Sequence, residues 1–192
     1  MEYVMETVLK MNGVEYTKEA FAKLMNFFGV YAELYLRGYY REKIITTLVD
    51  AGINVHIVGD GWERLYPQCP SNLTIQRGVD FSEVAEMTAN AKVVLNVMPW
   101  FKDGMHDRIP ATVMNEAVCV TDGSGYINSH FVNDEELVIF DLKEIENLPA
   151  RIKALLVDEE MAKSIAKKGK KKANAEYSWN KIVEENILRY LV

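Results

Sequence analysis

The chain has 192 residues, 49% of them apolar, which provides for one large core or a core with a small appendage. Its formal net charge of -6 argues against a general nucleic-acid binder, because neutralising phosphates requires basic surface. Two cysteines, Cys69 and Cys119, stand in no metal-ligand spacing, and no disulfide is suggested. The opening residues lack the basic and apolar regions of a signal peptide. No apolar run reaches the ~20 residues that a membrane span needs. A reduced, soluble, cytoplasmic chain with no membrane span is the expectation.

In chain order, residues 2–12 pattern as a short helix ended by Asn12-Gly13. Thr17 offers an N-cap for a helix through Phe28, with Gly29 as a break. Residues 30–50 form a longer helical pattern whose apolar face includes Leu34, Tyr40, Ile44, Ile45, Leu48 and Val49. On it, Arg37 and Arg41 share a face, either as solvated residues or as a pair aimed at an anion. Residues 53–58 read as a strand that runs into Gly59, Asp60, Gly61 and Trp62, and His56 within it reads as a buried core histidine. A helical turn at 62–66, a weak strand at 73–76 and a helix opened by Asp80 and Glu83 follow.

The central stretch, residues 92–122, reads KVVLNVMPWFKDGMHDRIPATVMNEAVCVTD. It predicts strand, loop, helix and strand, with the helix at about 107–116 and Cys119 as a small core residue. Beyond it come a turn at 123–125, a helix at 126–131, a strand at 136–140 and helices at 148–157 and from Asp158. Ser178 caps a last helix whose Trp179, Ile182, Val183, Ile187, Leu188 and Leu191 form a stripe that reads as core. The run KKGKKK at 167–172 reads as the solvated end of a helix. Strands alternating with helices from Ile53 to about Phe140 predict a parallel α/β sheet. The first ~50 residues read as a separate helical segment and 51–192 as the α/β domain.

Ligands of open parallel sheets bind outside the carboxyl ends of the strands. Asp103, Gly104, His106 and Arg108 sit at such an end, between a strand and a helix start. Glycine lets backbone approach a ligand, and histidine and arginine supply donors suited to a phosphate or diphosphate. A cap role for Asp103, and an ion pair from Arg108 to Asp107 or Glu116, are the structural alternatives. No GxGxxG or GxxxxGK[ST] sequence is present, which disfavours other nucleotide-binding α/β folds.

Together, INVHIVGDGW at 53–62, KVVLNV at 92–97, DGMHDRIPATVMNEAVCVTD at 103–122 and the tail from LPARIK to YSW resemble one known domain. It is the C-terminal domain of group 1 glycosyltransferases, in the spore-maturation-protein branch of the GT-B superfamily. The resemblance covers roughly residues 37–191. It implies a Rossmann-like parallel sheet flanked by helices, one half of a GT-B fold, that binds a nucleoside diphosphate sugar without a bound metal or other cofactor. Gly59, Asp60, Gly61, Trp62 and Asp103 would line the nucleotide, and Gly104, His106 and Arg108 would face the diphosphate. The catalytic residues stay unassigned.

Two positions depart from the family's pattern. Ala111 stands where a ribose-holding glutamate is usual, and Glu116 stands where a small, glycine-like residue precedes the strand and would fill or reshape the pocket. The resemblance also implies a partner, an N-terminal GT-B domain or a separate chain carrying the acceptor site. Apolar surface left by its absence would favour a homodimer. A non-catalytic nucleotide-binding or protein-interaction module with the same fold is the alternative.

Overall fold

The computed structural model describes residues 1–190. The chain falls into two compact units, Met1–Tyr39 and Tyr40–Val192. The first holds α1 (Glu2–Met11) and the opening turns of α2 (Lys18–Asp50). The Thr17 hydroxyl accepts the Ala20 N–H at 3.1 Å and so caps α2 as its sequence predicts. Gly29 does not break this helix. A glycine within a helix costs only about 1 kcal/mol relative to alanine, and no proline follows to end it. Phe27, Tyr31, Leu34 and Tyr35 are exposed in this unit.

The second unit is α/β. In order it contains β1 (Val55–Val58), β2 (Leu73–Gln76), α3 (Phe81–Asn90), β3 (Val93–Asn96), α4 (Arg108–Met114) and β4 (Val118–Asp122). It continues with α5 (Gly125–His130), β5 (Val138–Phe140), α6 (Leu148–Val157), α7 (Glu159–Glu176) and α8 (Trp179–Asn186). All strand pairs are parallel, but they form two sheets, β1-β2 and β3-β4-β5. Every residue of β4 is buried. Alternate residues of a strand face opposite sides. Val118 and Val120 accordingly pack with Ile44, Leu48, Ile152 and Ile165, while Cys119 packs on the other face with Ile109, Val113 and Ile127. A strand covered on both faces is what a parallel sheet with helices on each side requires.

Local chemistry explains most boundaries. Asp158 accepts the Met161 N–H at 2.9 Å and opens α7, and Ser178 accepts the Lys181 N–H at 3.4 Å and opens α8. α4, by contrast, has no side-chain cap bond and only 7 residues. Isolated helices shorter than ~12 residues are marginal in water, so packing must hold it. Ile109 and Val113 are fully buried, each contributing roughly 1.5–3 kcal/mol.

Three expectations need correction. His56 is exposed rather than core, with Nε2 3.1 Å from Gln76 Oε1 on the neighbouring strand. His56 lines a cavity that α3 and α6 residues also border. The α8 stripe is not core: Trp179 is 78% exposed and Ile187 and Leu188 are exposed as well. Periodicity reports that a helix is two-faced, not that something covers the apolar face. Leu191, the last residue of that stripe, lies outside the described residues. The lysine run is not merely a solvated end, because Lys168, Lys170 and Lys172 reach Glu135, Glu116 and Glu136 on other elements.

Gly169 explains how closely α7 approaches the sheet. A Cβ there would collide with the Glu136 carbonyl oxygen and come within 3.2 Å of Val113 Cγ1. Glycine to alanine normally stabilises a helix interior by ~0.5–1 kcal/mol. Here Gly169→Ala should instead destabilise by about 1–3 kcal/mol, the usual cost of overpacking. Urea unfolding checks this, and a stabilised variant would show that α7 can shift at little cost.

Candidate functional site

The connection from β3 to α4 lies at the carboxyl end of the three-stranded sheet. It is fastened at three points by the segment that leaves β4. Asp122 Oδ1 accepts the Met98 N–H at 2.6 Å. Ser124 Oγ donates to the Gly104 carbonyl at 2.6 Å, and the Gly125 N–H donates to the Lys102 carbonyl at 2.8 Å. Ser124 also caps α5, accepting the Ile127 N–H at 3.0 Å. Asp103 lies beside the same segment, since a Cβ on Gly125 would stand 3.1 Å from its Oδ1. A Cβ on Gly104 would overlap the Phe101 ring, so the bare backbone there is what lets that ring fold over the loop.

Arg108 is the first residue of α4, and Pro110 falls in the first turn, where its missing N–H costs nothing. The guanidinium does not pair with Asp107 or Glu116. Its Nη1 donates to Asn96 Oδ1 at 2.8 Å. Asn96 is fully buried at the end of β3, and its Nδ2 donates to Thr121 Oγ1 at 2.9 Å. Asn96 and Thr121 are register partners across β3 and β4. His106 Nδ1 accepts the Arg108 N–H at 3.1 Å and lies 2.5 Å from Asp107 Oδ1. With its proton on Nε2 the ring serves the first contact; with a proton on Nδ1 it serves the second. In the first of these states the Arg108 N–H, at the start of α4, is engaged by His106.

At the carboxyl end of β1, Gly59 and Gly61 have φ of 142° and 90°, conformations that favour glycine. The Gly61 N–H donates to Glu63 Oε2 at 3.1 Å, and Arg64 Nε donates to the Gly61 carbonyl at 3.1 Å. Asp60 lies near Gly78, whose Cβ would stand 3.7 Å from Asp60 Oδ2. Trp62 packs on the cluster of Ile45, Val49, Ile57 and Leu73. A cavity of about 950 Å³ opens between β1 and β3, and Trp62 and Arg108 both line it, as do Arg41 and His56. Gly59, Asp60, Gly61, Asp103, Gly104 and His106 lie outside that lining. Arg37 bonds to Glu33 one helical turn away, which accords with the solvated reading of that residue.

Burial governs the charges. It pushes the Asp122 carboxyl above the usual aspartate range, while the Met98 N–H, Lys102 and Arg41 pull it back down. The Cys119 thiol is pushed up to about 12 by burial, and both cysteines are free. Among the described residues, no cluster of His, Cys, Asp and Glu could hold a metal ion, and no helix is long and apolar enough to cross a membrane. Asn96, Thr121 and Asp122 lie in the stretches that carry the resemblance, but the sequence assigned no role to them or to Ser124. The available signal was a polar residue interrupting an apolar run at the strand exit, since a buried amide must be hydrogen-bonded.

The chain belongs to the glycosyl transferase-like family, whose sequence model matches residues 41–187. Among solved structures it is similar to sucrose-phosphate synthase from Thermosynechococcus elongatus, at 18% identity and a TM-score of 0.64, over 79% of this chain and 42% of that one. It is similar also to HepE of Anabaena in complex with UDP, at 14% identity and a TM-score of 0.64, over 76% of this chain and 44% of that one. The C-terminal domain of the group 1 family glycosyl transferase LpcC from Francisella tularensis matches at 14% identity and a TM-score of 0.50, over 62% and 59%. These likenesses are of fold, and the fold is one half of a GT-B glycosyltransferase. The chain spans less than half the length of the first two proteins. No curated protein matches it.

The Asp122 carboxyl gives a pH signature. Its folded value lies above the ordinary 3.8, so folding favours the protonated form. That contribution is fully present below the unfolded value and is lost as pH rises through the folded one. Asp122→Asn keeps an acceptor for Met98 and removes the titration. The stability of the natural chain relative to this variant should fall as pH rises from below 3.8 towards neutrality in urea unfolding. A constant difference would mean that the carboxyl titrates normally.

Proposed function

We propose that this chain is the donor half of a GT-B glycosyltransferase. It binds the nucleoside diphosphate of an activated sugar at the carboxyl ends of β1 and β3. The observation that carries the reading is Arg108, held through Asn96 at the end of β3 in a chain of the glycosyl transferase-like family. The solved HepE complexes contain UDP and UDP-glucose, which supports a uridine donor as the first to test. Gly104, His106 and Arg108 would face the diphosphate, and Gly59, Asp60, Gly61, Trp62 and Asp103 the rest of the nucleotide. When His106 Nδ1 accepts the Arg108 amide, the electrostatic burden falls on the guanidinium rather than on that N–H of α4.

Negative charge develops on the diphosphate as the glycosidic bond breaks. A cation already fixed in place stabilises that charge without reorganising. The proposal requires no metal. The acceptor site, and any base for it, would come from a second domain or chain, and the sequence pattern favours the spore-maturation-protein branch. The free thiols of Cys69 and Cys119 suit a cytoplasmic setting.

A second reading, a binding module without transferase activity, is favoured by Ala111, which removes the usual ribose-holding carboxylate. Calorimetric titration with UDP, GDP and their sugar conjugates tests the donor reading. Saturable binding of one diphosphate is expected, with Arg108→Ala weakening it by ~1.5–3 kcal/mol, the value of a hydrogen bond to a charged group. Equal affinity in the variant would remove Arg108 from the site. EDTA should leave the affinity unchanged, and a loss on chelation would show that a cation shares the diphosphate.

A further inference from the structure

We infer that Asn96 is a positioning residue, whose buried amide sets the orientation in which the Arg108 guanidinium meets a diphosphate. The inference rests on the donor reading above. Asn96 is 0% exposed at the last position of β3. Burying an amide is unfavourable unless both of its ends are bonded. Leucine would fill the same space without that requirement, so packing alone gives no reason for asparagine here.

The direction of every bond is determined. A guanidinium only donates, so Asn96 Oδ1 must face Arg108 Nη1, at 2.8 Å. Asn96 Nδ2 then has to donate to Thr121 Oγ1, at 2.9 Å. The Thr121 hydroxyl proton is left to donate to the Asp122 carbonyl, at 3.0 Å. The amide cannot flip without facing two donors towards each other. Since Asn96 and Thr121 are paired in register, the sheet itself sets the amide plane, not a loop.

Arg108 is thus held at both ends. Its backbone is fixed by the burial of Ile109 and Val113 in α4, and one Nη is fixed by Asn96, although the residue as a whole is exposed. A long exposed arginine would otherwise sample many rotamers, and ordering it would oppose ligand binding. Support of this kind, from buried groups that touch no ligand, keeps a binding group in its productive geometry.

The test compares UDP with uridine on the natural chain, Asn96→Leu, Asn96→Asp and Arg108→Ala. Asn96→Leu should weaken UDP roughly tenfold, the scale of one hydrogen bond to a charged group, and leave uridine unchanged. Asn96→Asp still accepts from Arg108 but pairs its charge and cannot donate to Thr121, so it should weaken UDP at least as much as Asn96→Leu. In the Arg108→Ala background, Asn96→Leu should have no further effect. Wild-type UDP affinity in Asn96→Leu, an equal loss for UDP and uridine, or a full effect without Arg108 would each overturn the inference. If Asn96→Leu does not fold, Thr121→Val breaks the next link and should lower UDP affinity in the same direction. If the natural chain binds GDP rather than UDP, the same comparison is made with GDP and guanosine; if it binds neither diphosphate, the donor reading fails by itself. The positioning is then read from nitrogen NMR of the Arg108 guanidinium: hindered Nη rotation lost in the Asn96 or Thr121 variant supports it, and identical spectra overturn it.

Discussion

β4 is buried along its whole length, and this constraint organises the rest of the second unit. A strand covered on both faces must be apolar through its middle, so its polar groups gather at its exit. Thr121, Asp122 and Ser124 are buried there and must find partners inside the protein. The neighbouring β3 exit supplies them: the Asn96 amide, the Met98 N–H and the Gly104 carbonyl. The polar residues that end the central strand therefore shape the loop that carries Asp103, Gly104 and His106. Core and candidate site are joined through the same few hydrogen bonds.

The division into two sheets adds a second constraint. The glycines that follow β1 and the arginine that follows β3 are carried by different sheets. The Val55 and Gly59 N–H groups bond to the Asn72 and Gln76 carbonyls, so His56 and Val58, at the alternate positions of β1, turn their backbone groups the other way. The cavity between β1 and β3 is where that edge looks out. Trp62 and Arg108 both line it. A ligand that touched both would tie the sheets together, and its affinity would include the cost of fixing their separation.

The sequence was most legible where local chemistry decides the outcome. Thr17, Asp158 and Ser178 cap the helices that their side chains predict. α6 spans Leu148–Val157 as its pattern indicates, with Ile152 and Leu155 buried. The strands β1, β4 and β5 follow from apolar runs ended by glycine or aspartate, and β3 from one ended by Asn96. Tertiary choices were less legible. Nothing local tells Arg108 to bond to Asn96 rather than to Asp107, because that partner is brought near by strand register. The exposure of Trp179 and the ion pairs of the α7 lysines depend likewise on which element lies opposite. Of the candidate site, the loop between β3 and α4 was legible as a loop, whereas the bonds that fasten it depend on which strand exits lie side by side.

The two departures from the family's pattern differ in weight once their surroundings are known. Glu116 has φ of 61°, the left-handed conformation for which glycine is the usual choice. The Glu116 N–H bonds to the Val113 carbonyl and the Ala117 N–H to that of Thr112, so the end of α4 is closed as a glycine would close it. Its side chain is exposed and paired with Lys170, which holds the carboxyl below its ordinary range. That carboxylate lies at the start of β4, away from the carboxyl ends of the strands, and does not fill the pocket expected to hold a nucleotide. The left-handed backbone that a glycine would adopt is present, with a charged side chain on it. Ala111 is different in kind. It lies one turn into α4, behind Arg108, and a methyl group cannot accept a hydrogen bond from a ribose. If a nucleotide binds here, its sugar hydroxyls must be met by another group or by water. The departure at Ala111 therefore bears on ligand recognition, and the one at Glu116 on the fold alone.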